Sequence, residues 1–87
     1  MITKTITLLV GDSEFPFCVT TADYNVYINA MTPDNKVTPS VNFVRQTLQD
    51  KEKRKELDEL CDAGLAVDLA GQLLTAFRPE VEITVKK

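Results

Sequence analysis

The sequence predicts a two-layer α+β domain in which a small sheet packs on helices. Apolar and polar residues alternate with a period of two near both ends of the chain, which is typical of half-buried strands. The alternating apolar residues are Ile6, Leu8 and Val10, then Phe15, Phe17 and Val19, and finally Val81, Ile83 and Val85. Between them, apolar residues recur at helical spacing. We therefore expect an N-terminal β-hairpin and a C-terminal strand to form a small antiparallel or mixed sheet, packed on three to four helices.

Length and composition are typical of a small globular protein. With 87 residues, of which 44% are hydrophobic, it is expected to fold as a single domain, residues 1–87. The net charge is −3, and the basic residues are mixed with acids, so attraction to nucleic acid or to an anionic membrane is weak. No signal peptide or membrane-spanning apolar run is visible. We expect a cytoplasmic protein in which Cys18 and Cys61 are free thiols.

The first hairpin has clear local signals. The segment "GDSE" between the two alternating runs supplies turn chemistry, since Gly11 tolerates a positive φ and Asp12 and Ser13 bond to nearby backbone. Pro16 has no N–H to donate to a ladder, which predicts that its strand lies at an edge or contains a bulge there.

A helix start and stop follow the hairpin. Thr20 and Asp23 fit a capping box, and Tyr24, with Tyr27 or Ile28, and then Met31 recur at helical spacing. The stretch "TPDNK" is expected to end this helix in a turn, because a residue before proline avoids helical geometry. Thr38 as N-cap and Pro39 at the first helical position predict the start of a second helix.

Two further helical segments are expected. Residues 50–64 carry charges of mixed sign and either continue the second helix or bend from it near Asp50, with Gly64 as the terminating residue. The segment "LAVDLAGQLLTAF" is the most apolar helix of the chain. Its predicted buried face consists of Ala66, Leu69, Ala70, Leu73 and Phe77, with Val67 and Leu74 widening the buried arc.

The residues that carry catalysis or bind metals in other proteins are scarce. Histidine is missing, the two cysteines have no neighbouring ligand, and no glycine-rich turn matches a phosphate-binding motif. The basic run "KEKRK", residues 51–55, is surrounded by acids, so a solvated helix face is favoured over a phosphate-binding surface. We expect no enzymatic activity, no metal and no cofactor.

The aromatic residues of the first helix allow two interpretations. Tyr24, Tyr27 and Met31 are suited to a helix core. The alternative is that part of this stripe, together with Pro33, Val37 and Phe43, forms an apolar groove for a partner segment. Aromatic and Met side chains suit such a groove, because they offer large and adaptable contact area.

The stretch "TTADYNVYINAMTPDNKVTPSVNF", with the opening "TKTITL" and the closing "EITVKK", resembles a family of small bacteriophage proteins, the tail assembly chaperones. The likeness covers almost the whole chain and is densest over residues 20–43. The resemblance implies a non-enzymatic role: binding the helical tape measure protein, and keeping it soluble until tail-tube subunits polymerise around it. It also implies action in the host bacterial cytoplasm and absence from the finished virion, with other tail proteins as further partners.

The resemblance directs attention to the loop after the first helix and to its flanks. We therefore expect a partner-binding surface made of Tyr27, Met31, Pro33, Asn35, Lys36, Val37 and Phe43. Two other functions stay open at this stage. One is a small structural subunit of the tail or of the head–tail connector, and the other, resting on "KEKRK" alone, is a phage regulator that binds nucleic acid.

Overall fold

An antiparallel hairpin opens the chain and is followed by helices. The structure is a computed structural model that describes residues 2–86, in which a two-stranded sheet and four α-helices give an α+β fold. The strands are β1 (Thr3–Val10) and β2 (Ser13–Thr20), and the helices are α1 (Thr21–Ala30), α2 (Val37–Thr47), α3 (Arg54–Asp62) and α4 (Ala66–Phe77). A single turn of 3-10 helix, Lys51–Lys53, leads into α3.

The hairpin turn determines which backbone groups face outward. Gly11 has a φ of +61° and Asp12 a negative φ, the combination of a two-residue type II′ turn. Such a turn makes Val10 and Ser13 a hydrogen-bonded pair, so every second residue of β1 back from Val10 bonds to β2. The intervening residues direct their backbone N–H and C=O groups away from β2. These are Thr3, Thr5, Thr7 and Leu9.

The outer edge of β2 is occupied next to Pro16. Because Pro16 lies opposite Thr7 in a non-hydrogen-bonded pair, its missing N–H faces away from β1 and costs the hairpin no bond. On that outer side the Pro16 carbonyl accepts a hydrogen bond from the Gln49 N–H at 2.8 Å, and Leu48 forms a β-bridge with Phe17. The edge position predicted for this strand is confirmed. The same contacts end α2 at Leu48, so α3 is a separate helix and not a continuation of α2.

The helix ends follow local rules. At the start of α1, Thr20 accepts from the Asp23 N–H while the Asp23 carboxylate accepts from the Thr20 N–H, which is the predicted capping box. At the end of α3, Gly64 has a φ of +92° and donates to the Cys61 carbonyl, and Leu65 donates to the Leu60 carbonyl. These two bonds define a Schellman motif, with glycine in its left-handed position.

The predicted start of the second helix is off by two residues. Helix α2 begins at Val37 with Lys36 as its N-cap, not at Pro39 after a Thr38 cap, and no side chain caps it. Pro39 therefore lies within the first turn. The N–H groups of a first turn have no acceptor within the helix, so the missing N–H of Pro39 costs no helical hydrogen bond. The helix still gains a bond at this end, because the Ser40 N–H donates to the Lys36 carbonyl at 3.2 Å.

One apolar cluster joins the inner face of β2 to all four helices. The β2 side chains Phe15, Phe17 and Val19 are fully buried, whereas the facing side chains of β1 are half-buried. Helix α2 packs most extensively on α4. The five central residues of the buried face predicted for α4 are buried and Leu74 is half-buried, but Val67 is 39% exposed, so the buried arc is narrower on that side than predicted. The helical members of the cluster are Tyr27, Phe43, Val44, Leu57, Leu69, Ala70, Leu73 and Phe77.

The predicted C-terminal strand is not confirmed. Residues 79–86 have no regular secondary structure, and they pair with neither strand within residues 2–86. Val81, Ile83 and Val85 are exposed by 66%, 89% and 84%. The period-two pattern is present, but a strand also needs a neighbour that accepts its backbone bonds, and local sequence cannot specify that neighbour. The hairpin gains its stability from the helices instead.

We expect Phe17→Ala to destabilise the fold by about 3–5 kcal/mol, because a ring at 0% exposure leaves a cavity when it is removed. Urea unfolding followed by circular dichroism measures the change. Leu9→Ala in the neighbouring strand is the control, since Leu9 is 69% exposed, and its expected effect is within about 0.5 kcal/mol. Equal losses in the two variants would contradict the assignment of β2 to the core.

Candidate functional site

Tyr27 of α1 and Phe43 of α2 join the two helices that flank the loop. Their rings stack with centroids 4.7 Å apart and an interplanar angle of 16°, and both residues are buried. The Tyr27 hydroxyl lies 2.8 Å from the Ser40 Oγ, and the Ser40 hydroxyl donates to the Lys36 carbonyl at 2.7 Å. These two aromatic residues therefore support the loop from inside, as the helix-core interpretation expects.

The loop itself is a turn that protrudes between α1 and α2. Thr32 and Asn35 exchange two backbone hydrogen bonds of 3.2 Å around Pro33 and Asp34. Met31 is half-buried and packs against the core. The other four residues expected to bind a partner, Pro33, Asn35, Lys36 and Val37, are exposed. The seven expected residues are thus contiguous in space but differ in access: a buried aromatic pair, Met31 at the boundary, and an exposed tip.

A narrow cleft lies between α1 and α2, beside the Tyr27–Phe43 pair. It has a volume of about 60 Å³, and its α1 wall includes Val26, which is 61% exposed. Sequence patterns did not single out this cleft. A signal was present, since Val26 lies off the Tyr24, Tyr27 and Met31 stripe and makes α1 apolar on a second face. The residues lining the cleft are Asp23, Val26, Tyr27, Ala30, Pro39, Asn42, Phe43 and Gln46.

The cleft opens into a broad depression that crosses α2 toward the start of α3. One part has a volume of about 450 Å³, and an adjoining part, reaching Leu48 and Lys51, has about 330 Å³. We call the cleft and this depression together the α1–α2 groove. The lining of the larger part of the depression combines one apolar side chain, two amides and two guanidinium groups. These are Val26, Asn42, Gln46, Arg45 and Arg54.

The depression between α2 and the start of α3 carries positive charge, although the chain is acidic overall and Asp23 lines the cleft. Arg45 and Arg54 both pair with the Asp58 carboxylate, their Nε atoms lying 3.2 Å and 3.6 Å from Asp58 Oδ1. One carboxylate thus faces two guanidinium groups, and Lys51 adds a further cation at the rim. All three groups of the ion-pair cluster are exposed enough that water screens the pairs, so they contribute little to stability. The cluster therefore favours contacts with individual carboxylates, and it is too small to indicate a phosphate-binding surface.

The basic run at residues 51–55 is partly used within the molecule. Lys53 is half-buried, with its Nζ 5.1 Å from the centroid of the Phe15 ring, a cation–π contact that covers the core. Arg54 pairs with Asp58, and Asp50 caps the turn by accepting from the Glu52 N–H. Lys53 therefore departs from the solvated face expected for this run, whereas Lys51, Arg54 and Lys55 are exposed.

Cys61 on α3 lies close to the ion-pair cluster. Both cysteines are free thiols. Burial raises the pKa of the Cys61 thiol, and the Asp58 and Asp62 carboxylates raise it further, while Arg45 acts in the opposite direction. A raised pKa keeps the thiol protonated at neutral pH and therefore weakly nucleophilic.

Two further properties of the described residues bear on the type of site. Within residues 2–86, no group of three or more His, Cys, Asp or Glu side chains is placed to hold a metal ion. In the same part of the chain, no single helix is long and apolar enough to cross a membrane. One pair of neighbouring helical segments reaches that length when taken together, and it is bent by 116° between Lys51–Asp62 and Ala66–Phe77.

The geometry is that of an open groove between two helices, with apolar side chains, amides and cations in its lining. Comparison with known proteins is more specific, because the family described as phage tail assembly chaperone matches residues 6–87. The chain belongs to this family, as the resemblance noted in the sequence implies.

The chain is also similar to a protein from a bacteriophage. An uncharacterized 11.3 kDa protein from the lys 3′ region of Haemophilus phage HP1 is 32% identical over 81 residues, which cover 93% of this chain and 79% of the relative. No solved structure matches the chain.

We expect Tyr27→Phe to lower the free energy of unfolding by about 1 kcal/mol, since it removes the hydroxyl bonded to Ser40 and keeps the stacked ring. Ser40→Ala should cost more, about 1–3 kcal/mol, because it leaves the buried Tyr27 hydroxyl without that partner. Thermal unfolding of the two single variants and the double variant gives the coupling between them. Additive effects would show that the hydroxyl contact contributes nothing.

We expect Cys61 to react slowly with iodoacetamide at pH 7.5, and Asp62→Asn to raise its rate about twofold, because removing a nearby carboxylate lowers the thiol pKa. Peptide mass spectrometry after timed alkylation measures the rate at this site. Asp34→Asn in the distant loop is the matched control and should leave the rate unchanged. An Asp62→Asn rate equal to that of the parent chain would contradict the electrostatic cause.

Proposed function

We propose that this chain binds the tape measure protein of its phage and keeps it soluble during tail assembly. The observation that carries the proposal is the family match over residues 6–87, which is to tail assembly chaperones. The phage relative adds a second link to a virus, although its printed description states no activity. A long helical protein that awaits enclosure exposes apolar stripes, and a small domain with an open groove is suited to cover them.

The α1–α2 groove is the proposed seat for a helical segment of the partner. Val26 offers an exposed apolar contact beside the cleft, while Asn42 and Gln46 offer amide groups. Arg45 and Arg54 sit beyond them and favour carboxylates. The segment that fits this floor is a helix with an apolar stripe flanked by acidic residues. Since the groove is shallow and open, binding is expected to be modest, which suits a chaperone that must release its partner.

The loop at residues 31–37 is proposed as the second part of the binding surface. Pro33 and Val37 are exposed apolar residues at its tip, and Asn35 and Lys36 provide polar contacts. Met31 lies where the loop meets the core, and its flexible side chain adapts to different partner surfaces. Tyr27 and Phe43 take part from beneath, by holding α1 and α2 at the spacing that keeps the groove open.

Other tail proteins are proposed as further partners, and the host cytoplasm as the place of action. A chaperone of this kind is also expected to be absent from the finished phage particle. Mass spectrometry of purified virions separates this role from that of a structural tail or connector subunit. Recovery of the protein at a stoichiometric copy number would contradict the chaperone proposal.

We expect co-expression with the tape measure protein of the same phage to raise the soluble yield of that partner. Val26→Asp should weaken the complex about tenfold or more, since it places a charge at the apolar contact of the groove. Val37→Asp tests the loop in the same way. The readouts are the soluble fraction of the partner and the dissociation constant by calorimetry.

Val67→Asp is the matched control for these variants. Val67 is also a helix-surface valine, but it lies on α4 outside the groove and the loop. It should bind as the parent chain does, and circular dichroism should show all three variants folded. If the parent chain leaves the tape measure protein insoluble, the function is wrong. If all three variants bind equally, the function stands and the proposed surface is wrong.

A further inference from the structure

The segment after α4 has the pattern of a strand but no strand partner. Val81, Ile83 and Val85 alternate with Glu82, Thr84 and Lys86, so an extended backbone places the apolar side chains on one face and the polar ones on the other. In the structure these three β-branched side chains are 66–89% exposed. Leaving that much apolar surface in water is unfavourable in free energy. We call residues 80–86 the terminal segment.

The outer edge of β1 offers the backbone bonds that such a segment lacks. The described part of the sheet contains two strands, so β1 has a neighbour on one side only. Its outward groups belong to Thr3, Thr5, Thr7 and Leu9, as the register requires. The opposite edge of the sheet is unsuitable, because Pro16 removes a donor there and Leu48 and Gln49 already bond to that edge.

Both faces of β1 match the terminal segment. On the inner face, Ile6, Leu8 and Val10 are only half-buried, although their partners in β2 are fully buried. A strand beside them that directs valine and isoleucine inward would extend this apolar face and cover it. On the outer face, three threonines of β1 would lie beside Thr84 and Glu82, which are suitable polar neighbours.

Charge does not contribute to the match, because Lys4 lies on the inner face of β1 with Ile6, Leu8 and Val10, whereas Glu80 and Glu82 would face outward. Arg78, the residue before Pro79, is extended, so α4 ends there and does not continue into the terminal segment.

We propose that the terminal segment of one copy of this chain pairs with the outer edge of β1 in a second copy, and that two copies exchange segments reciprocally. The chain's own edge is within reach, since α4 ends at Phe77 and the Lys4 Nζ lies 5.9 Å from the Phe77 ring centroid. Even so, the segment and the edge remain apart in the single chain. Each copy supplies one segment and one open edge, so a two-fold pair uses all of them and closes. This inference does not depend on the proposed function.

Hydrogen exchange against concentration tests the exchange of segments. The amides of Thr3, Thr5, Thr7 and Leu9 should exchange freely in dilute protein and become protected as concentration rises, in parallel with the dimer fraction from analytical ultracentrifugation. Protection that is independent of concentration would mean that the segment pairs with its own chain, and the proposal would be overturned. Free exchange at every concentration would overturn it as well.

Variants show whether the segment itself forms the contact. Ile83→Asp should raise the dimer dissociation constant at least tenfold and abolish the concentration-dependent protection, because the charge would enter the apolar face of the extended sheet. Ile83 is 89% exposed in the single chain, so this change leaves the fold intact, which circular dichroism verifies. Val26→Asp on α1, away from the edge, is the control and should dimerise as the parent does. An Ile83→Asp chain that dimerises normally would overturn the proposal.

Discussion

Burial of the inner face of β2 is the interaction on which the rest of the structure depends. Phe15, Phe17 and Val19 lie at the centre of one apolar cluster that receives side chains from every helix. The next strand, β1, is held mainly through its ladder to β2 and covers less of the core. The break between α2 and α3 also depends on β2, because Leu48 and Gln49 bond to its outer edge. The groove owes its shape to that break, since its cations come from both sides of it.

Most of the fold was predictable from sequence because its signals are local. The hairpin, the capping box at Thr20 and the glycine stop at Gly64 each depend on a few neighbouring residues. The buried face of α4 follows from helical spacing alone. The terminal segment shows the limit of this reasoning. Its alternation is as regular as that of β1, but strand formation depends on a neighbour distant in sequence, and no local pattern identifies that neighbour.

The candidate site was predictable only in part. The turn at Pro33 and Asp34 is encoded by residues next to each other, and the structure places it at the surface. Sequence left open whether Tyr27 is core or groove, because α1 carries apolar residues on more than one side, and packing against Phe43 decides for the core. Arg45 and Arg54 were not expected to share a surface. They belong to different helices: Arg54 pairs with Asp58 within α3, and the bend at Leu48 brings Arg45 of α2 to the same carboxylate.

The carbonyl of Pro16 has a consequence for self-association. At the β2 edge the Gln49 amide already bonds to the Pro16 carbonyl, and Pro16 has no N–H to donate. A further strand can therefore pair only with the β1 edge. A sheet open at both rims is a template for endless stacking into fibres, whereas a sheet that is closed on one side stops growing once the free side is filled. By this argument, Pro16 and the Gln49 contact limit strand addition to the β1 edge in a chain whose terminal segment exposes Val81, Ile83 and Val85.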